Sequence, residues 1–201
     1  MTNNMKKLGI DLDNVIADSH DILRTLIRHS TDGRVDLSYL DITDFSFYRC
    51  KDRNGNSISE EEWSDVHRTF SEESNILSVK PCSGARFCLE KLSERYEIHI
   101  VTTRMPNAWE PTVKWLRNNS IPHHFLHFLG HRKKHESLGG FSFVVEDDYD
   151  QAVMFLDAGT PCYLLRHPWN ATGKPKRGLY WVQDWNELTR SLDMAGSNCG
   201  A

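Results

Sequence analysis

Asp11 and Asp13, two positions apart in Asp11-Leu12-Asp13-Asn14-Val15, follow a short apolar run. Carboxylates spaced in this way can divide labour, one attacking as a nucleophile and the other moving a proton. Much later come Thr102-Thr103-Arg104, which offers hydroxyls and a guanidinium, the basic run His131-Arg132-Lys133-Lys134-His135, and the acidic run Glu146-Asp147-Asp148. Acids contributed by two separate parts of a chain make a hard oxygen cage suited to Mg²⁺. Hydroxyl and lysine groups nearby would then hold phosphoryl oxygens.

These residues need elements that bring them together. Lys7 to Asp11 reads as a buried strand that stops at acidic residues, and Asp18 to Ser30 as a helix with Ile22, Leu23, Leu26 and Ile27 on one face. Residues 31–78 change to aromatic, polar and charged texture, with a turn at Asn54-Gly55 and a capping box opening at Ser59. We read them as a small, mainly helical insertion, leaving 1–30 and 79–201 as the core. Beyond Pro81, Ser83 is placed as the N-cap of a helix carrying Ala85, Phe87, Cys88, Leu89 and Leu92. Strands are expected at Glu97–Val101, Phe125–Leu129, Phe141–Val145, Cys162–Leu165 and Leu179–Val182, interleaved with helices near Asn107–Asn119 and Tyr149–Ala158. This alternation predicts an α/β, Rossmann-like, mainly parallel sheet with helices on both faces. Ligands bind such sheets at the carboxyl ends of the strands, where the residues above fall.

With 201 residues, 24 Lys+Arg against 28 Asp+Glu and a net charge of −4, the chain is no basic nucleic-acid glove. No apolar run approaches the roughly 18 residues a membrane helix needs, and the N-terminal residues lack a signal-like apolar core. We therefore expect a cytoplasmic protein that binds neither membrane nor nucleic-acid polymer. The five cysteines form no C-x-x-C pair and are read as reduced thiols. His127, His131 and His135 are spaced for zinc on a helix, but Gly130 interrupts them and 125–129 reads as a strand, so they are assigned to the surface or the site rim. There is no G-x-S-x-G elbow, no complete H-E-x-x-H because position 139 is glycine, and no Walker loop at Asn170–Pro175.

The ordered set of an aspartate pair, a Thr, a Lys and a late acidic pair resembles the haloacid dehalogenase (HAD) superfamily over nearly the whole chain. Within it, Asp11-Leu12-Asp13-Asn14-Val15, Thr102-Thr103-Arg104 and Pro168-Trp169-Asn170 are most similar to the cytosolic 5′(3′)-deoxyribonucleotidase-like group. The resemblance implies a HAD-like core with 31–78 as its helical cap, and a Mg²⁺-dependent hydrolase acting on a small phosphomonoester. It implies Asp11 as nucleophile and Asp13 as general acid/base. Thr102, Thr103 and a lysine would bind phosphate, and Asp11, the Asp13 carbonyl, Asp147 and nearby Glu146 would hold the metal. Asp148 leaves the late ligand open to a shift of one residue. Lys133 and Lys134 compete for the phosphate, with Lys134 preferred.

Substrate choice must come from the insertion, since a phosphate clamp cannot tell one monoester from another. Phe45, Phe47, Tyr48 and Trp63 lie there within a short stretch. Aromatic faces stack on nucleobases, so Phe45, Phe47 and Trp63, with Arg104 beside the threonines, are the candidate substrate contacts. The expected substrate is a deoxyribonucleoside or ribonucleoside monophosphate. The alternatives are another small phosphorylated metabolite, or a catalytically silent binding module of the same fold. Oligomeric state is not readable from the sequence.

Overall fold

The structure, a computed structural model, describes residues 5–130 and 133–197, with side chains described as far as residue 193. Six strands form one sheet: β1 (Lys6–Asp11), β2 (Tyr96–Thr102), β3 (Phe125–Phe128), β4 (Phe143–Glu146), β5 (Cys162–Leu165) and β6 (Leu179–Val182). Their order is β3-β2-β1-β4-β5-β6, and every pairing is parallel. The chain builds outward from β1 in one direction, then returns to β4 and builds in the other. The place where that order reverses, beside the end of β1, is where doubly wound sheets hold ligands.

Period-two alternation explains the sheet's burial on both sides. Val145, Tyr163 and Leu165 join the larger apolar cluster, whereas their neighbours Val144, Cys162 and Leu164 join the smaller one. The larger cluster takes in α4 (Ala85–Ser93), α5 (Trp109–Asn118) and α8 (Trp185–Ser197), while α7 (Tyr149–Asp157) covers the smaller. Gly9, in the central strand, sits where a Cβ would come within 3.1 Å of the Phe141 ring and of Val144.

The 31–78 segment contains no strand. Two short 3₁₀ turns precede its helices α2 (Glu60–Phe70) and α3 (Glu73–Ser78), and α2 packs against α1 (Ser19–Ser30). The Ser59 capping box forms: the Ser59 hydroxyl accepts from the Glu62 N–H and the Glu62 carboxylate accepts from the Ser59 N–H. Chain exit and return lie side by side, since Asp18 N–H donates to the Lys80 carbonyl and Cys82 N–H to the Ile16 carbonyl, both at 2.8 Å. Val35, Ile42, Phe47, Val66 and Ile76 of this segment share the larger cluster with the core.

Several element boundaries differ from expectation. Gly84, with φ of 81°, is the N-cap of α4, so Ser83 does not cap it. A left-handed residue there lets the chain turn sharply into the helix, which a serine cap in extended conformation would not do. β4 begins two residues later than expected and runs through Glu146. The helix expected at 107–119 starts as a 3₁₀ turn, Pro106–Ala108, before α5. Two helices escaped the sequence reading: α8, and the single-turn α6 (Lys134–Ser137).

Candidate active site

Strand ends deliver the chemistry. Asp11 is the last residue of β1, Thr102 the last of β2, and Glu146 the last of β4, with Asp147 following it. Lys134 opens α6, in the connection between β3 and β4. All five of these side chains are buried. Hydrophobic strands on a sheet covered from both sides account for this, because the strands end before the chain reaches solvent.

Lys134 Nζ donates to Asp11 Oδ1 at 2.6 Å and to Glu146 at 3.0 and 3.3 Å. Lys133, by contrast, is exposed and pairs with Glu136. Burial disfavours the Lys134 ammonium, but Asp11 and Glu146 outweigh it and hold the group protonated. Burial raises the Asp11 carboxyl, with Lys134 opposing the rise. The Glu146 carboxyl is pushed up to about 8, mainly by burial. Asp147 is raised well above its ordinary value, by burial and then by the charges of Asp11 and Glu146.

Asp11, Glu146 and Asp147 present carboxylate oxygens within 4.8 Å of one another. Asp147 Oδ1 is buried with no hydrogen-bond partner among the described residues. Three carboxylates beside one ammonium leave a buried excess of negative charge, and an all-oxygen donor set is what Mg²⁺ prefers. These residues fit a divalent cation. Asp148 stands outside the cluster and caps α7, accepting from the Asp150 N–H at 2.9 Å.

Asp13 is turned the other way. Arg104 grips it through Nε to Oδ2 at 2.9 Å and Nη2 to Oδ1 at 2.6 Å, and the Ser19 hydroxyl also donates to Oδ1. Burial pushes the Asp13 carboxyl up, yet Arg104 and Ser19 overcome it and hold the group below the usual carboxylate range. That leaves its backbone carbonyl for the metal role the resemblance assigns. Arg104 is read from the sequence as a substrate contact, but its guanidinium is buried. It is taken up by Asp13, by Thr112 of α5 at 2.8 Å, and by the face of Phe70. Thr102 is buried beside it, its hydroxyl accepting from the Arg104 N–H, while Thr103 is exposed.

The aromatic candidates separate. Phe47 is buried and stacked on Trp63, ring centroids 4.8 Å apart, so each supplies the other's partner. Phe45 is exposed and lines a cleft of about 410 Å³ between residues 43–49 and the loops after β4 and β5, together with Arg49, Asp148, Tyr149, Trp169 and Lys174. His127 and His135 lie on separate elements, and His131 is outside the described residues. The sequence reading missed Thr112 and Ser19. Each lies near its partner in sequence, eight and six residues away, but on the following helix, whose orientation the local sequence does not give.

No protein-family model and no curated protein matches the sequence. Solved structures do match. A HAD family hydrolase from Deinococcus radiodurans, with bound phosphate and sodium, aligns at TM-score 0.66 and 16% identity over 96% of either chain. A predicted phosphoglycolate phosphatase from Haemophilus somnus aligns at 0.65 and 16% identity, over 96% of this chain and 100% of that one. A HAD hydrolase from Bacillus subtilis bound to magnesium aligns at 0.61 and 16% identity, over 94% and 99%. Among the described residues no helix is long and apolar enough to cross a membrane. At such identities the likeness speaks for architecture: the chain has the Rossmann-like α/β fold seen in these HAD-family hydrolases, and a buried acidic cluster lies at the carboxyl edge of its sheet.

Proposed function

We propose that the chain is a Mg²⁺-dependent phosphomonoester hydrolase working through an aspartyl-phosphate on Asp11. The observation that carries this is the buried convergence of Asp11, Lys134, Glu146 and Asp147 at the carboxyl edge of the sheet. A bound Mg²⁺, held by Asp11, Asp147, Glu146 and the Asp13 carbonyl, would offset charge between the nucleophile and the phosphoryl group. Asp11 attacks phosphorus in line, and the leaving oxygen departs with the ester's electron pair. Lys134 and Thr102, with Thr103 at the exposed rim, hold the phosphoryl oxygens. Asp13 supplies the proton to the leaving oxygen and then takes one from the water that splits the intermediate.

The substrate we propose is a nucleoside monophosphate, with the 31–78 segment as the cap that selects it and Phe45 as the base-stacking face. Phe45 is the one of the three aromatic candidates that is exposed in the cleft. Arg49 and Lys174 on the same walls favour a second reading, a base-free phosphorylated metabolite with a polar leaving group. One experiment separates them: kcat/KM for deoxyribonucleoside monophosphates and for ribose 5-phosphate, with Mg²⁺ and with EDTA, in the parent and in Phe45→Ala and Asp11→Asn. One stack is worth about 1–3 kcal/mol, roughly a tenfold to hundredfold preference for the nucleotide, and Phe45→Ala should shrink it. Asp11→Asn should lose turnover by several orders of magnitude while remaining folded. Equal or better turnover of ribose 5-phosphate removes the nucleotidase reading, and near-parental turnover by Asp11→Asn removes the covalent one.

A further inference from the structure

The loop after β5, Pro168-Trp169-Asn170, takes no part in the chemistry above, yet it is anchored on Asp147. The Trp169 indole N–H points at Asp147 from 3.1 Å (its carbonyl) and 3.2 Å (its Oδ2). Asn170 Nδ2 donates to the same carbonyl at 2.8 Å and to the Leu165 carbonyl at 2.6 Å. From the opposite strand end, Asn14 Nδ2 reaches Asp147 Oδ2 at 3.3 Å. Trp169 is itself fixed by His167, whose ring stacks on it at 4.2 Å and 5°. Asn14 is fixed by accepting the His20 N–H at 2.9 Å, in a left-handed conformation, φ of 59°, that asparagine tolerates.

Two of these side-chain donors, Trp169 and Asn14, reach the Asp147 carboxylate, both on Oδ2; among the described residues none reaches Oδ1. A carboxylate is otherwise free to turn about its last torsion and exchange its oxygens. Donors on a single oxygen break that symmetry and present the other oxygen in a fixed direction. Oδ1 is buried and has no hydrogen-bond partner among the described residues, and the Asp147 carboxylate has an oxygen within 4.8 Å of one from each of Asp11 and Glu146. We propose that Trp169 and Asn14 are positioning residues for the metal site, clamping Asp147 Oδ2 so that Oδ1 is presented to the divalent cation. Groups that orient a ligand in this way typically change metal affinity by about 10–100-fold when removed. The proposal rests on the metal-dependent reading of the site.

Trp169→Phe keeps an aromatic face against His167 and removes the N–H, together with some of the indole's bulk. Asn14→Gly keeps a residue that accepts positive φ and removes the amide, so the two variants test one clamp from opposite sides. Mn²⁺ serves as the probe, its binding followed by electron paramagnetic resonance and calorimetry. We expect each variant to bind Mn²⁺ about tenfold more weakly than the parent while still unfolding cooperatively in EDTA. Excess Mg²⁺ should restore kcat, a rescue that a misfolded variant would not show. Trp169 also borders the cleft, so the alternative is a substrate contact; a raised KM with parental Mn²⁺ affinity in both variants overturns the proposal. If Trp169→Phe fails to fold, the Mn²⁺ affinity of Asn14→Gly decides alone. A parent chain that binds no Mn²⁺ overturns the metal reading itself and this proposal with it.

Discussion

Arg104 shows how one side chain can fix the electrostatic state of another. Its donors go to both oxygens of Asp13 and to Thr112, and Phe70 lies under its plane. Paired in this way, Asp13 rests as an acceptor, suited to taking a proton from water. To protonate a leaving oxygen it must first gain a proton against the guanidinium. Arg104→Met keeps much of the side chain's bulk and strands the Asp13 carboxylate. Breaking a buried pair from one side costs about 3–5 kcal/mol. Asp13 keeps partial solvent contact, with its side chain 26% exposed, so a loss near the lower figure is expected in urea unfolding, with turnover falling as well. Arg104→Lys, which restores charge but not the two-pronged geometry, should fall between. Parental stability and turnover in Arg104→Met would show that the ion pair has no such role.

At the scale of elements, β1 must carry Asp11 and Asp13 to the sheet's edge while wedged between β2 and β4, and Gly9 is where that wedge is tightest. Gly9→Ala would force the Phe141 ring and Val144 aside. Overpacking of this kind costs about 1–3 kcal/mol; an unchanged urea midpoint would mean that Phe141 yields freely. Strand ends were legible in the sequence because apolar runs stopping at polar residues mark the sheet edge, and β5 and β6 match residue for residue. Less legible were features that depend on backbone conformation, such as Gly84 opening α4 in a left-handed state. α8 did carry a readable signal in Trp185, Leu188 and Leu192 at helical spacing, with Asp184 accepting from the Glu187 N–H. The placing of Lys134 inside and Lys133 outside turns on a single turn of helix whose direction the local sequence does not encode. The direction of Arg104, and the burial of Phe47 against Trp63, depend on partners contributed by the insertion and by α5.

Across the whole molecule, His167 joins three parts of the chain. Its Nε2 lies 3.0 Å from the Asn14 carbonyl, which can only accept, so Nε2 carries the proton. Nδ1 then accepts from the Tyr39 hydroxyl at 2.9 Å, tying the 31–78 segment to the loop after β5 and, through Asn14, to the loop after β1. Burial holds the imidazole neutral and pushes its pKa down to about 4, with the Asn14 carbonyl opposing and His20 and Asp18 acting as smaller neighbours of opposite effect. An unfolded histidine titrates near 6.5. Between those values the unfolded chain binds the proton more readily than the folded one, so stability rises with pH there. The contribution is complete above the unfolded value and is lost as pH falls toward 4. At about 1.4 kcal/mol per unit the full swing is about 3–4 kcal/mol, of which about 2–3 kcal/mol falls between pH 7 and 4.5. His67 and His127, also shifted down by burial, add slopes of the same sign, so the comparison needed is between the parent and His167→Gln. Urea unfolding from pH 7 to pH 4.5 should show a shallower decline in the variant, which starts from lower stability because its hydrogen bonds to Tyr39 and Asn14 are altered. Parallel declines would mean that His167 protonates without loosening the junction, and the hold of residues 31–78 on the sheet would then rest on their other contacts.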